Sequence, residues 1–261
     1  MTDWLALCRA AVDDVLGVLL ELPGRSEREP VVGRGMGGDE TTAIDAAAES
    51  VILARFAGLD VTIVSEEAGI RGDGKTYVVV DPIDGSLNAK RGIGFFSVSI
   101  AVASGPTMGD VDFGFVHDFG TGEEWTATRG DGARLNGAPL EGQLPKDEIE
   151  ILSFEATRTA AVAEQAAAVV DLAYRLRIMG SLALSLCHLA AGRVDAVCSL
   201  KPARAVDIAA AQLLVRERGL AIDLFDAPPF GAAPLDLEGR SRVVAAGTPE
   251  LCRKLASALS A

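Results

Sequence analysis

The sequence predicts an α+β/α/β chain built as two sheet-and-helix lobes, and three observations lead there. Its 261 residues are 49% apolar and 23% charged, long and apolar enough to bury a large shared core. The first half carries closely spaced strand signals with Gly-containing turns, the pattern of an antiparallel meander. The second half alternates strand and helix signals, the pattern of α/β units. Lobe one then covers about residues 1–140 and lobe two about 141–261 of a single domain, since the chain shows no internal repeat and no long linker.

Element by element, residues 3–22 place Leu5, Cys8, Val12, Val15, Leu16 and Leu19 at helical spacing, and Pro23-Gly24 stops the helix. The charged, glycine-rich stretch Arg25 to Glu40 reads as a mobile loop and a candidate lid. Its Gly33-Arg34-Gly35 start lacks a preceding strand and a correctly spaced third glycine, which sets aside a dinucleotide fingerprint. Thr41-Thr42 caps a helix over 43–57, with Asp45 and Glu49 one turn apart on its polar face. Strands follow at 61–64, 77–80 and 95–103, then a meander at 111–117, 123–129 and 133–135. Strand 149–154, helix 157–172, strand 175–179 and helix 181–191 open the second half. Strand 194–199, helix 206–218, strands 221–223 and 242–246 and helix 249–259 complete it.

Several function classes fall away on composition. The formal net charge is −13 without a Lys/Arg cluster, the opposite of a nucleic-acid footprint. No apolar run approaches the roughly 18–20 residues of a membrane span. Asp3, Arg9, Asp13 and Asp14 interrupt any signal-peptide core, which predicts a cytoplasmic protein. Cys8, Cys187, Cys198 and Cys252 lack C-x-x-C spacing and read as free core thiols of a reducing compartment. His117 and His188, without partners at metal spacing, read as structural, and Trp125 reads as packing.

The segment Val78-Val79-Val80-Asp81-Pro82-Ile83-Asp84-Gly85-Ser86-Leu87 carries the chemistry. An apolar strand delivers two carboxylates, Asp81 and Asp84, around a stiffening proline. The Ile83 carbonyl, freed from the strand ladder, adds a hard oxygen that suits a divalent cation. The amides of Gly85, Ser86 and Leu87 then suit a phosphate. Taken alone, Asp-Pro-x-Asp-Gly is also the composition of an ordinary turn. A second acidic pair, Glu66-Glu67, ends another apolar strand, and Asp45 lies on the preceding helix. Asp207 opens the apolar helix Val206 to Ala211, where by itself it reads equally as an N-cap.

Together these segments resemble the inositol monophosphatase superfamily of Mg²⁺-dependent, lithium-sensitive sugar phosphatases, which includes fructose-1,6-bisphosphatases. Glu66-Glu67 is similar to its Glu-Glu motif, Asp81 to Ser86 to its Asp-Pro-Ile-Asp-Gly-Thr/Ser motif, and Val206 to Ala211 to its Trp-Asp-x-Ala-Ala-Gly segment. Gly130 to Gly137 and Gly180 to Ala183 resemble further family segments. Lys201 to Asp207 looks most like archaeal-type members acting on both inositol 1-phosphate and fructose 1,6-bisphosphate. Val206, Ser86 and Arg218-Gly219-Leu220 depart from the family pattern without removing a ligand, and the first and last put pocket shape in question.

The resemblance implies a layered α-β-α-β-α sandwich, a homodimer, and two to three Mg²⁺ ions per site, with Mn²⁺ as an alternative. Glu66, Asp81 and the Ile83 carbonyl would hold one ion, and Asp81, Asp84 and Asp207 a second. A weaker third would share Glu66 beneath the loop before Asp45. Ser86 and Asp45 would orient the attacking water, with Glu67 behind them. The phosphate would lie on the Gly85, Ser86 and Leu87 amides, and the sugar would reach Gly180, Ser181, Lys201, Arg204 and Asp207. Arg177, Lys201 and Arg204 are candidates for a second phosphate, although ordinary surface exposure is the commoner fate of such side chains. The partner is thus a small phosphate ester, with no nucleic acid and no membrane. Two other functions fit the same fold: a phosphatase of 3'-phosphoadenosine 5'-phosphate, and a mainly non-catalytic binding protein.

Overall fold

In a strand, neighbouring side chains face opposite sides, and the run Val78-Val79-Val80 uses both. Val78 and Val80 pack into one apolar cluster and Val79 into another, so helices must cover both faces of this sheet. The computed structural model describes residues 2–142, 144, 146, 148–155, 158–226 and 229–260. In chain order, its first elements are α1 (Trp4–Glu21), α2 (Arg25–Arg28), β1 (Val31–Arg34), β2 (Glu40–Thr42), α3 (Ala43–Phe56), β3 (Val61–Ser65), β4 (Gly69–Arg71), β5 (Thr76–Asp84) and α4 (Ser86–Arg91). A run of strands follows: β6 (Ser97–Ala103), β7 (Val111–Asp118), β8 (Glu124–Thr128), β9 (Gly132–Leu135), β10 (Ala138–Pro139) and β11 (Ile149–Glu155). The last are α5 (Thr159–Ala166), β12 (Ala173–Arg177), α6 (Leu182–Ala190), β13 (Ala196–Ser199), α7 (Ala205–Glu217), β14 (Ala221–Leu224), β15 (Val243–Ala246) and α8 (Pro249–Ala258).

Eight strands form one sheet in the order β10-β9-β8-β7-β6-β5-β3-β4, and five form another in the order β12-β11-β13-β15-β14. Helices α1 and α3 cover the outer face of the large sheet through Cys8, Val12, Val15, Ile44, Ile52 and Phe56. Helices α6 and α7 fill the space between the sheets, meeting Val79, Ala101 and Val116 on one side and Val197, Val243 and Ala245 on the other. Cys252 and Leu255 of α8 and Val162 of α5 close the far face. The layer order is α-β-α-β-α, as the resemblance implies.

A helix between two sheets must be apolar all round, and α7 buries ten of its residues. Its small side chains let the backbones approach closely. At Gly114 of β7 an added Cβ would lie 2.5 Å from the Ala210 carbonyl oxygen.

Several expectations require correction. Residues 25–40 are no continuous loop: α2 and the hairpin β1–β2 occupy much of the stretch, with Val31 opposite Thr42 and Arg34 opposite Glu40. Every residue of β1 is exposed, so no alternation marks it. Leu16 is 40% exposed, and Ala11 and Val18 complete the buried stripe of α1 instead. The helix expected over 157–172 is α5 followed by a 3₁₀ turn at Ala167–Val169, and its expected start at Thr157 lies outside the described residues. The strand expected over 175–179 is β12, two residues earlier. The short strands β4 and β10 were not foreseen.

Candidate active site

Asp81 of β5 pairs with Ser99 of β6, and Asp84 pairs with Ser97. Three steps on one strand oppose two on the other, a bulge built where Pro82 has no N–H to give the ladder. The Ile83 N–H donates to Asp81 Oδ1 at 3.1 Å, and Ser86 Oγ donates to the Ile83 carbonyl at 2.9 Å. Gly85 then turns the chain into α4 with φ +92°, and an added Cβ there would meet the Gly180 and Phe95 carbonyl oxygens at 3.0 Å. Only glycine combines that angle with that closeness.

Glu66 and Glu67 follow the end of β3, and α3 holds their turn in place. Glu49 Oε1 accepts from Ser65 Oγ at 2.5 Å, the Glu67 N–H at 3.1 Å and the Ala68 N–H at 2.8 Å. One turn earlier, Asp45 Oδ2 accepts from Thr42 Oγ1 at 2.5 Å and the Thr42 N–H at 3.2 Å. Its other oxygen, Oδ1, is buried without a hydrogen-bond partner. The 35–37 segment lies over the acidic turn, its Met36 and Gly37 N–H groups donating to the Glu67 and Glu66 carbonyls at 3.1 and 2.9 Å. Thr41 Oγ1 donates to Glu67.

These elements line one cavity of about 300 Å³. Asp45, Glu66, Glu67, Asp81, Ile83, Asp84, Gly85, Ser86, Leu87, Gly180, Lys201, Arg204 and Asp207 all border it. Ligand oxygens of Glu66, Asp81 and Asp207 lie within 4.8 Å of one another, the spacing of groups able to share a cation. Asp84 is anchored differently. Its Oδ2 accepts from Ser181 Oγ at 2.5 Å and from the Ala183 N–H at 2.7 Å, at the start of α6.

Crowding these acids raises the cost of their charges. Burial pushes Glu66 up to about 7, with Asp207 and Glu67 adding and Arg204 opposing. Burial also pushes Asp84 up to about 7 against the Ser181 hydrogen bond. Asp81 is raised well above the usual carboxylate range by burial, with Glu66, Asp84 and Asp207 adding. Burial raises Glu67 too, against the Thr41 hydrogen bond.

Arg204 is not the surface charge that its residue type suggests. Its side chain is 6% exposed, with Nη1 2.6 Å from Glu66 Oε1 and Nη2 2.9 Å from Asp207 Oδ1. Burial opposes its charge, but Asp207 and Glu66 outweigh that and hold it protonated. Ser181 is 1% exposed and serves Asp84 from beneath the cavity floor. Arg177 is exposed and does not border the cavity. Neither do Val206 and Leu220, which pack into the central core, so those departures from the family pattern do not shape this pocket.

Sequence reasoning overlooked Asp39, Lys90 and Glu155, which also line the cavity. For Glu155 a signal existed, an acid closing the apolar strand β11. Its Oε1 accepts from Ser153 Oγ at 2.9 Å and Ser185 Oγ at 2.8 Å, and its Oε2 accepts from the Gly180 N–H at 2.8 Å. Asp39 and Lys90 are side chains for which only the fold creates a site.

The residues fit divalent cations: hard carboxylate oxygens converge, their charges are unfavourable as they stand, and Asp45 Oδ1 is a buried acceptor lacking a donor. Fold and site define a class, the acidic-site α-β-α-β-α phosphatases. The chain belongs to the inositol monophosphatase family, whose model matches residues 9–261, and it is a phosphatase. It is 32% identical to the fructose-1,6-bisphosphatase/inositol-1-monophosphatase of Methanothermobacter thermautotrophicus, over 98% of this chain and 96% of that one. A relative of the same name from Archaeoglobus fulgidus is 32% identical over 94% and 93%. The crystal structure of an inositol monophosphatase-fructose 1,6 bisphosphatase superposes with a TM-score of 0.87 at 28% identity, covering 99% of this chain and 100% of that one. The protein named Nus factor SuhB in Pasteurella multocida is 38% identical over a shorter span, 69% of this chain and 70% of that one.

Proposed function

We propose that this phosphatase hydrolyses inositol 1-phosphate and fructose 1,6-bisphosphate, using Mg²⁺ held by the converged carboxylates. One observation carries the reading: Glu66, the Asp81/Asp84 pair and Asp207, from three separate stretches of sequence, border one cavity beside the start of α4. Glu66, Asp81 and the Ile83 carbonyl would hold one ion, and Asp81, Asp84 and Asp207 a second. Asp84 offers Oδ1 to that purpose, because Oδ2 is engaged by Ser181 and Ala183. Bound there, such ions would supply an activated water and charge stabilisation of the departing alkoxide. Asp45, through its free Oδ1, and Ser86 would position the attacking water. Glu67 steadies the loop above by accepting from Thr41. The Gly85, Ser86 and Leu87 amides receive the phosphate, and Lys90 and Lys201 add positive charge at the cavity wall. Gly180 borders the sugar, positioned by Glu155.

Phosphate release from inositol 1-phosphate, fructose 1,6-bisphosphate and 3'-phosphoadenosine 5'-phosphate, repeated with Asp84→Asn, tests this reading. Turnover of the first two that collapses in the variant supports it, whereas preference for the third assigns a nucleotide phosphatase. The SuhB-named relatives favour a second reading, a binding role on the same scaffold. Stoichiometric recovery of polymerase subunits together with negligible turnover would establish it. The resemblance also implies a homodimer, and the charged N-terminal residues a cytoplasmic location; light scattering and cell fractionation check these.

A further inference from the structure

The acidic cavity contains a cation of its own, the guanidinium of Arg204. Its backbone N–H donates to Asp207 Oδ2 at 2.7 Å, and Nη2 donates to Oδ1 at 2.9 Å, so both oxygens of Asp207 are engaged by one residue. Nη1 reaches Glu66 Oε1 at 2.6 Å. The 35–37 turn encloses it: a Cβ added at Gly37 would lie 2.6 Å from Nη1. A third anion stands toward solvent, where Asp39 Oδ2 lies 3.7 Å from Nη1 and 3.4 Å from Lys201 Nζ. Asp39 is 56% exposed and can follow a moving partner.

Glu66 and Asp207, which the guanidinium pairs, are two of the three carboxylates spaced to share a cation. A hard divalent ion draws its oxygens to about 2.0–2.6 Å, and that places two positive charges against the same acceptors at a buried site, where repulsion is strong. Resting on the divalent-ion reading of these carboxylates, we infer that Arg204 is a resident competitor: it holds Glu66 and Asp207 apart from an entering ion and surrenders Glu66 for Asp39 when the ion binds. Arg204 thereby sets the cation affinity of the site. It also keeps three crowded acids from standing uncompensated.

Mn²⁺ titration of the purified full chain without substrate, followed by electron paramagnetic resonance and calorimetry, tests the inference. Arg204→Gln should bind the first Mn²⁺ at least about tenfold more tightly than the unaltered protein and show a larger rise in Tm on adding Mn²⁺. Arg204→Lys, which retains charge but lacks the planar fork, should fall between the two. Equal or weaker binding in Arg204→Gln overturns the inference. If that variant does not fold, Arg204→Lys decides, since equal or weaker binding there also overturns it. An unaltered protein that takes up no Mn²⁺ would instead sink the divalent-ion reading itself.

Discussion

In the proposed function individual carboxylates carry the chemistry, and Asp81 is the one assigned to both ions. It sits at the bulge, receives the Ile83 N–H and shares a triad with Glu66 and Asp207. Asp81→Asn should retain the fold yet lose at least about a hundredfold in kcat, since even groups one step behind a ligand can cost that much; circular dichroism and phosphate release check this together. Asp84 yields a prediction in pH. Its carboxyl rises from an ordinary 3.8 to about 7 in the folded chain. Between those values the folded state holds a proton that the unfolded state has lost. The resulting stability is complete below pH 3.8 and disappears as pH rises through 7. In EDTA, Tm should therefore fall further from pH 5 to 8 in the unaltered protein than in Asp84→Asn. His117 and His188, pushed down by burial, act in the opposite sense in both proteins and drop out of the difference. Equal slopes would contradict the raised Asp84.

At the scale of elements, the site is a junction of strand ends and helix starts. β5 ends in the bulge, α4 begins just after it, α6 begins under Asp84, and α7 carries Asp207 in its first turn. Gly85 is the hinge of this junction. Gly85→Ala forces a side chain into φ +92° and against two carbonyl oxygens, which should cost about 1–3 kcal/mol. Denaturant unfolding measures that loss, and activity should fall with it because the α4 amides shift from the phosphate. Unchanged stability would mean that the junction yields easily.

For the whole molecule, each of the two sheets contributes part of the site. Asp81 and Asp84 come from the large sheet, whereas Asp207 opens the helix layer between the sheets and Glu155 ends a strand of the smaller one. Ion binding should therefore stabilise the molecule globally. Mg²⁺ at about a hundred times its Kd adds about 2.7 kcal/mol if only the folded state binds it; calorimetry should show Tm rising with Mg²⁺, and EDTA should abolish phosphate release. Activity that survives exhaustive chelation would exclude metal dependence.

Local signals made much of this legible in advance. An unbroken run of valines marked β5, an apolar stripe marked α1, and the spacing Asp81-Pro82-Ile83-Asp84-Gly85 announced an acidic turn, because side-chain period, proline chemistry and glycine freedom act within a few residues. The family motifs extended that reading to Glu66, Glu67 and Asp207. Other features depended on distance in space. The exposed hairpin β1–β2 carries no periodic pattern, and Ser181 became the anchor of Asp84 across 97 positions of chain. Arg204 is the clearest case: its composition reads as a surface charge, yet packing buries it between Glu66 and Asp207. Local sequence therefore determined the elements and the acidic motifs, while only the tertiary structure decided which charges face one another, since Coulomb energies depend on separation and burial rather than on order along the chain.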